Sequence, residues 1–195
     1  MVVDAVGNFY GATFLGGSAN VGVVYEISPT SNGKATEAVL YDFTGSNGDG
    51  ANPIGGLIFD KAGNLYGVTQ NGGAFEVGTV FELSPPASPG GAWAETVLYS
   101  FQDSPSDGAY PVAGVIFDAS GNLYGTARYG GIYAPSCDFG CGVVYELTPP
   151  SAGGQPWAES ILYAFQGSPR RRRAANGPTH LRPGGEPLRN DIHRR

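Results

Sequence analysis

The chain is short of the residues that most often carry site chemistry. Of its 195 residues two are histidine, His180 and His193, and both lie in the final stretch. The body before them therefore offers no Ser-His-Asp triad, no Cys-His pair and no histidine metal site. Positive charge is equally scarce: up to Pro169 the basic residues are Lys34, Lys61 and Arg128, against fifteen acidic ones. An acidic body repels phosphate backbones and anionic lipid, which argues against nucleic acid or a membrane surface as its partner. No apolar run approaches the roughly 18 residues of a membrane span, and Met1-Val2-Val3-Asp4 does not read as a signal peptide. Sustained helical periodicity is missing as well.

Turn chemistry is what the chain has in plenty. Its 32 glycines and 15 prolines recur between short apolar runs and form no low-complexity block, the pattern of an all-β chain. The punctuation is periodic. Gly-Asn-Phe-Tyr-Gly-Ala-Thr from Gly7, Gly-Asn-Leu-Tyr-Gly-Val-Thr from Gly63 and Gly-Asn-Leu-Tyr-Gly-Thr-Ala from Gly121 set a period of 56 to 58 residues, in or just beyond the range of propeller-blade repeats. Each repeat contains four strand-like runs, clearest in the second as Leu57 to Asp60, Asn64 to Thr69, Gly78 to Leu83 and Glu95 to Phe101. Val97 to Phe101 is apolar on both faces, as in a sheet covered on both sides. The expected architecture is β-propeller-like: three four-stranded antiparallel blades at about 1–53, 54–111 and 112–169. Closed propellers typically have about four to eight blades, so three make an incomplete ring or an open arc.

Local chemistry explains the turns. Asp60 to Asn64 and Asp118 to Asn122 suit hairpins in which Asp bonds the following backbone and Gly takes a positive φ. Pro29, Pro85 and Pro149 end the third strand of each repeat, and Gly16-Gly17, Gly72-Gly73 and Gly130-Gly131 follow the second. Gly121 to Ala127, Gly78-Thr79-Val80-Phe81, Leu98-Tyr99-Ser100-Phe101 and the Asp107-Gly108-Ala109 loop stand in the fixed order of the GloVer repeat, and residues 1 to 169 resemble that family of bacterial tandem repeats. The resemblance implies a secreted or surface-attached domain, usually with more repeats and a separate anchor. It supplies no catalytic residues.

From Arg170 the repeat pattern stops and the chain becomes basic, with eight arginines and two acids in the last 26 residues. A disordered basic tail is the plain reading. In the frame one base later, however, codons compatible with His180 to Ile192 permit Ile-Phe-Asp-Pro-Ala-Gly-Asn-Leu-Tyr-Gly-Thr-Thr, a fourth copy of the signature. The register agrees: Phe101 precedes Asp118 by 17 residues, and Phe165 precedes Arg182, whose shifted codon can encode that Asp, by 17. Pro178 alone cannot give the glycine at Gly114. The tail is therefore expected to derive from a frameshift. Met1 falls inside the first strand of a repeat, so the parent is expected to be longer and to reside outside the cell or at its surface.

Candidate chemistry is thin. Glu26, Glu82 and Glu146 recur at one repeat position, as do Asp4, Asp60 and Asp118, whereas an active site normally breaks repeat symmetry. Asn47-Gly48-Asp49-Gly50 is part of a calcium loop without its first acid or its distal Glu, so a turn is the better reading. No catalytic, metal or cofactor residues are assigned. Cys137 and Cys141 lie in or beside a six-residue insertion of the third repeat. A local disulfide is the first expectation in an exported protein, ahead of free thiols or half a zinc shell. The non-repeated Arg128, Tyr129, Tyr133 and Asp138 share that loop and Tyr110 sits in another, which suits contact with a protein or a glycan. Trp93 and Trp157 precede equivalent strands and should pack. The expected function is a non-enzymatic scaffold or binding module, with open blade edges available for self-association; part of a carbohydrate-active propeller enzyme and a functionless gene remnant are the alternatives.

Overall fold

The computed structural model describes residues 1–88, 90–134, 137–151 and 156–167, so the basic tail and its frameshift reading lie outside the described residues. These residues form thirteen strands and no helix. The first sheet holds β1 (Val2–Val3), β2 (Phe9–Thr13), β3 (Val23–Pro29) and β4 (Ala35–Asp42). The second holds β5 (Gly50–Phe59), β6 (Leu65–Gly72), β7 (Thr79–Ser84) and β8 (Ala94–Ser100). In the third are β9 (Gly108–Pro111), β10 (Ile116–Phe117), β11 (Leu123–Gly130), β12 (Val143–Thr148) and β13 (Ala158–Ala164). Neighbouring strands pair antiparallel and no sheet closes on itself. The described residues thus form an all-β, open, propeller-like set of three blades.

One strand begins far earlier than its composition suggests. Gly50 to Gly56 reads as a glycine- and proline-rich loop, yet it opens β5, pairing Gly50 with Gly72 and Pro53 with Thr69 before a bulge between Ile54 and Ile58. Pro53 is tolerated because β5 is the edge strand of its sheet. In the third blade the same segment is split into β9 and β10, both paired with β11.

The early start fastens each blade to the one before it. Asn52 and Tyr110, equivalent residues with φ of 58° and 52°, turn their N–H groups out of their own sheets. Asn52 donates to the Val21 carbonyl at 2.6 Å and Tyr110 to that of Val77 at 2.8 Å. Left-handed φ costs a non-glycine residue about 1–2 kcal/mol, so the backbone is bent at both junctions toward the same bond.

The core consists of the two blade interfaces. One joins Tyr10, Val24 and Phe43 to Leu65, Phe81 and Leu83; the next joins Tyr66, Val80 and Phe101 to Leu123, Tyr145 and Leu147. Phe43 meets Phe81 edge-on with ring centroids 5.2 Å apart, and Phe101 meets Tyr145 at 5.0 Å. Trp93 packs on the first cluster and Trp157 on the second.

The signature supplies the floor beneath these rings. Gly67 is the cross-strand partner of Phe81, and a Cβ at Gly67 would lie 2.6 Å from the ring's Cζ and 2.8 Å from a Leu57 methyl. Gly11 under Tyr25 and Gly125 under Tyr145 repeat the arrangement. The first signature glycine serves the turn instead. Gly7, Gly63 and Gly121 stand at φ of 95°, 89° and 88° with open space around them.

Gly67→Ala is expected to cost about 1–3 kcal/mol by overpacking and to be partly rescued by Phe81→Leu. Gly63→Ala, which strains only φ, is not rescued by that change. Urea unfolding of the single and paired variants checks this, and equal rescue of both would contradict it.

Candidate functional site

The repeated aspartates are already committed to their own hairpins. Asp60 Oδ1 accepts from the Ala62 and Asn64 N–H groups at 2.8 and 2.9 Å, and Oδ2 accepts from the Asn64 amide and the Tyr66 hydroxyl at 2.9 and 3.3 Å. Asp4 and Asp118 do the same in their own hairpins. Desolvation raises the pKa of Asp4 and Asp118, but these hydrogen bonds outweigh it and hold both carboxyls below the ordinary range. Asx turns of this kind explain why Asp, Gly, Asn and Tyr recur together.

A second set of carboxylates sits at the blade junctions. Asp107, 3% exposed, accepts from the Gln102 N–H at 2.8 Å, the Tyr99 hydroxyl at 3.0 Å and the Gly108 N–H at 2.6 Å. Burial nevertheless pushes its carboxyl up. Asp49, its counterpart, closes the Thr44 turn by accepting the backbone N–H at 2.6 Å and the hydroxyl at 2.7 Å, so Asn47 to Asp49 lie in a turn that leads into Gly50 at the start of β5, with Asn47 and Gly48 at φ of 56° and 87°. Across from these aspartates, burial and then the Asp49 charge push Glu95 up to about 7. Burial and then Asp107 do the same to Glu159. One oxygen each of Asp49, Glu95 and Glu159 is buried with no hydrogen-bond partner. The recurrence of the pair at both junctions ties it to blade packing.

The third-blade loop is the place where repetition breaks. Cys137 and Cys141 are joined in a disulfide with Cα atoms 5.1 Å apart, inside the roughly 4.4–6.8 Å range such bonds need. Cys141 N–H donates to the Ile132 carbonyl at 3.2 Å and Gly130 N–H to that of Phe139 at 2.8 Å, closing the insertion on itself. Tyr110 stacks edge-on against Tyr129 at 5.7 Å, Phe139 tilts against Tyr129 at 5.8 Å, and the Arg128 guanidinium lies 5.0 Å above the Tyr129 ring. Tyr133 is separate, its hydroxyl donating to the Asp103 carbonyl at 3.4 Å. Asp138 is exposed on the turn between the cysteines. Thus the structure gathers Tyr110, Arg128 and Phe139 around Tyr129, and Phe139 is a ring that sequence reasoning passed over although it lies between the two cysteines.

Exposed apolar residues also mark the corresponding loops of the other blades, Phe14 and Leu15 in the first and Phe75 in the second. Elsewhere, a cleft of roughly 790 Å³ opens between the second and third blades, lined by Phe59, Tyr66, Phe117 and Trp157 with Lys61 at its rim. Among the described residues no three His, Cys, Asp or Glu side chains converge to hold a metal ion, and no helix is long and apolar enough to cross a membrane.

A family model described as the Gloeobacter/Verrucomicrobia repeat matches residues 1–181. Comparison with curated proteins and with solved structures gives no match.

The junction carboxyls predict a pH dependence. With folded-state values near 7 against the ordinary 4.5, the native chain keeps protons that the unfolded chain has released between those limits. The stability involved is fully present below the unfolded value and is lost as pH rises through about 7. Glu95→Gln, which mimics the protonated side chain, is expected to raise Tm by about 2–4 °C in mildly alkaline buffer and to leave it unchanged in acid below the unfolded value. Thermal melts in the two buffers check this; an equal shift in both contradicts it.

Proposed function

The chain belongs to the Gloeobacter/Verrucomicrobia repeat family, and on that premise we propose that it is a non-enzymatic repeat domain of the bacterial surface. Its blades are the scaffold, and the third-blade loop is the contact surface for a protein or a glycan. The observation that carries this reading is the cluster of Tyr110, Tyr129 and Phe139 with Arg128 over the Tyr129 ring, on an insertion fastened by the Cys137–Cys141 disulfide. Rigid aromatic side chains beside a cation on a braced loop bind at low entropic cost. A disulfide in so short a loop suits an oxidising compartment, which supports placement outside the cell.

Carboxyls near neutrality favour a rival reading as part of a carbohydrate-active enzyme, because a general acid needs such a value. Glu95 and Glu159, however, occupy the same position in consecutive blades and face equivalent aspartates. A catalytic pair would occur once.

Arrays of glycans and envelope proteins probed with the whole chain test the proposal. A ligand found there is expected to bind Tyr129→Ala at least about tenfold more weakly, as loss of an aromatic anchor implies. Unchanged binding would sink the loop's role, and polysaccharide hydrolysis abolished by Glu95→Gln would sink the non-enzymatic reading.

A further inference from the structure

The signature hairpins also shape a cavity. Residues of two of them, Asp60 to Ala62 and Asp118 to Gly121, line the cleft of roughly 790 Å³ between the second and third blades together with the rings of Phe59, Tyr66, Phe117 and Trp157. Each ring is held in place by a neighbour. Tyr66 meets Phe117 edge-on with centroids 4.9 Å apart, Phe59 meets Tyr10 at 5.0 Å, and Trp157 packs on the core of the junction. The volume falls within the about 300–1,000 Å³ of pockets that take small molecules.

Charge and hydrogen-bonding capacity are separated in this lining. It contains two carboxylates, Asp60 and Asp118, and one ammonium, Lys61, which is exposed on its turn and stands where the other blades have Ala5 and Ala119. A carboxylate offers about four lone-pair sites, and here the hairpins fill them. Each Oδ1 accepts two backbone N–H groups, and each Oδ2 accepts an asparagine amide and a tyrosine hydroxyl. The two aspartates therefore give the cleft negative charge without a free acceptor.

We propose that the cleft binds a quaternary ammonium group, taken up by the four rings in the field of Asp60 and Asp118. Such a cation has no N–H to satisfy, so it needs aromatic faces and negative charge, and aromatic faces attract it through their quadrupoles. Other ligand classes match the lining less well. Sugar hydroxyls and a primary ammonium need acceptors, and the lining carboxylates have none to spare. An anion meets two carboxylates against one solvated lysine, and an uncharged apolar molecule would take those carboxylates out of water without compensation. The hairpins lie at the start of β6 and β11 and the disulfide-braced loop follows the end of β11, so this site stands independently of ligand contact at that loop.

Calorimetric titration of the whole chain with choline, and with 3,3-dimethylbutanol as its uncharged isostere, tests the proposal. Choline is expected to bind saturably, and the alcohol at least about tenfold more weakly. Trp157→Leu is expected to weaken choline at least about tenfold; because Trp157 also packs on the core, Trp157→Phe, which keeps a ring, is expected to restore most of the binding. Lys61→Ala, a change on an exposed turn, is expected to leave choline binding intact or to tighten it, since a like charge is removed. Absence of saturable choline binding overturns the proposal, as does equal binding of the alcohol. So does a Lys61→Ala variant that loses choline, or a folded Trp157→Leu variant that binds it as the wild type does.

Discussion

Everything in this molecule depends on one constraint: a four-stranded blade has two apolar faces and cannot bury either by itself. The solution is a ring laid over a backbone with no side chain beneath it. Phe81 and Tyr145 lie over Gly67 and Gly125 and receive Phe43 and Phe101 from the preceding blade. All four rings are fully buried, and burial of each contributes about 1.5–3 kcal/mol. The backbone bonds from Asn52 and Tyr110 add about 1 kcal/mol each, less the strain of a left-handed residue. Apolar contact therefore holds the blades together, and the hydrogen bonds set their register.

The repeat and the blade were legible in the sequence because their causes are local. An Asx turn needs Asp, Gly and Asn at fixed spacing, and the hydrogen bonds of Asp4, Asp60 and Asp118 repeat atom for atom. The start of β5 was not legible. Gly50, Asn52, Pro53, Gly55 and Gly56 are poor strand formers, and the segment is held by its pairing with β6 and by the Val21 carbonyl of another blade, which takes its Asn52 N–H. Propensity carries no information about a partner 31 residues away.

At the candidate site the outcome was mixed for a similar reason. Repetition separated scaffold from decoration, which drew attention to Arg128, Tyr129 and Tyr110, but their contact depends on Tyr110 crossing from a neighbouring strand. Phe139 escaped notice because a single phenylalanine between cysteines reads as filling. The carboxyl pairs at the junctions were invisible: Glu95 and Asp49 are 46 residues apart and meet only through blade stacking.

Cohesion resides in the ring contacts between blades, and a double-mutant cycle on Phe43 and Phe81 measures it directly. With each changed to Leu alone and then together, urea unfolding is expected to give a coupling of about 0.5–1.5 kcal/mol. Costs that simply add would mean that each blade stands on its own packing, and would contradict a fold held by its blade interfaces.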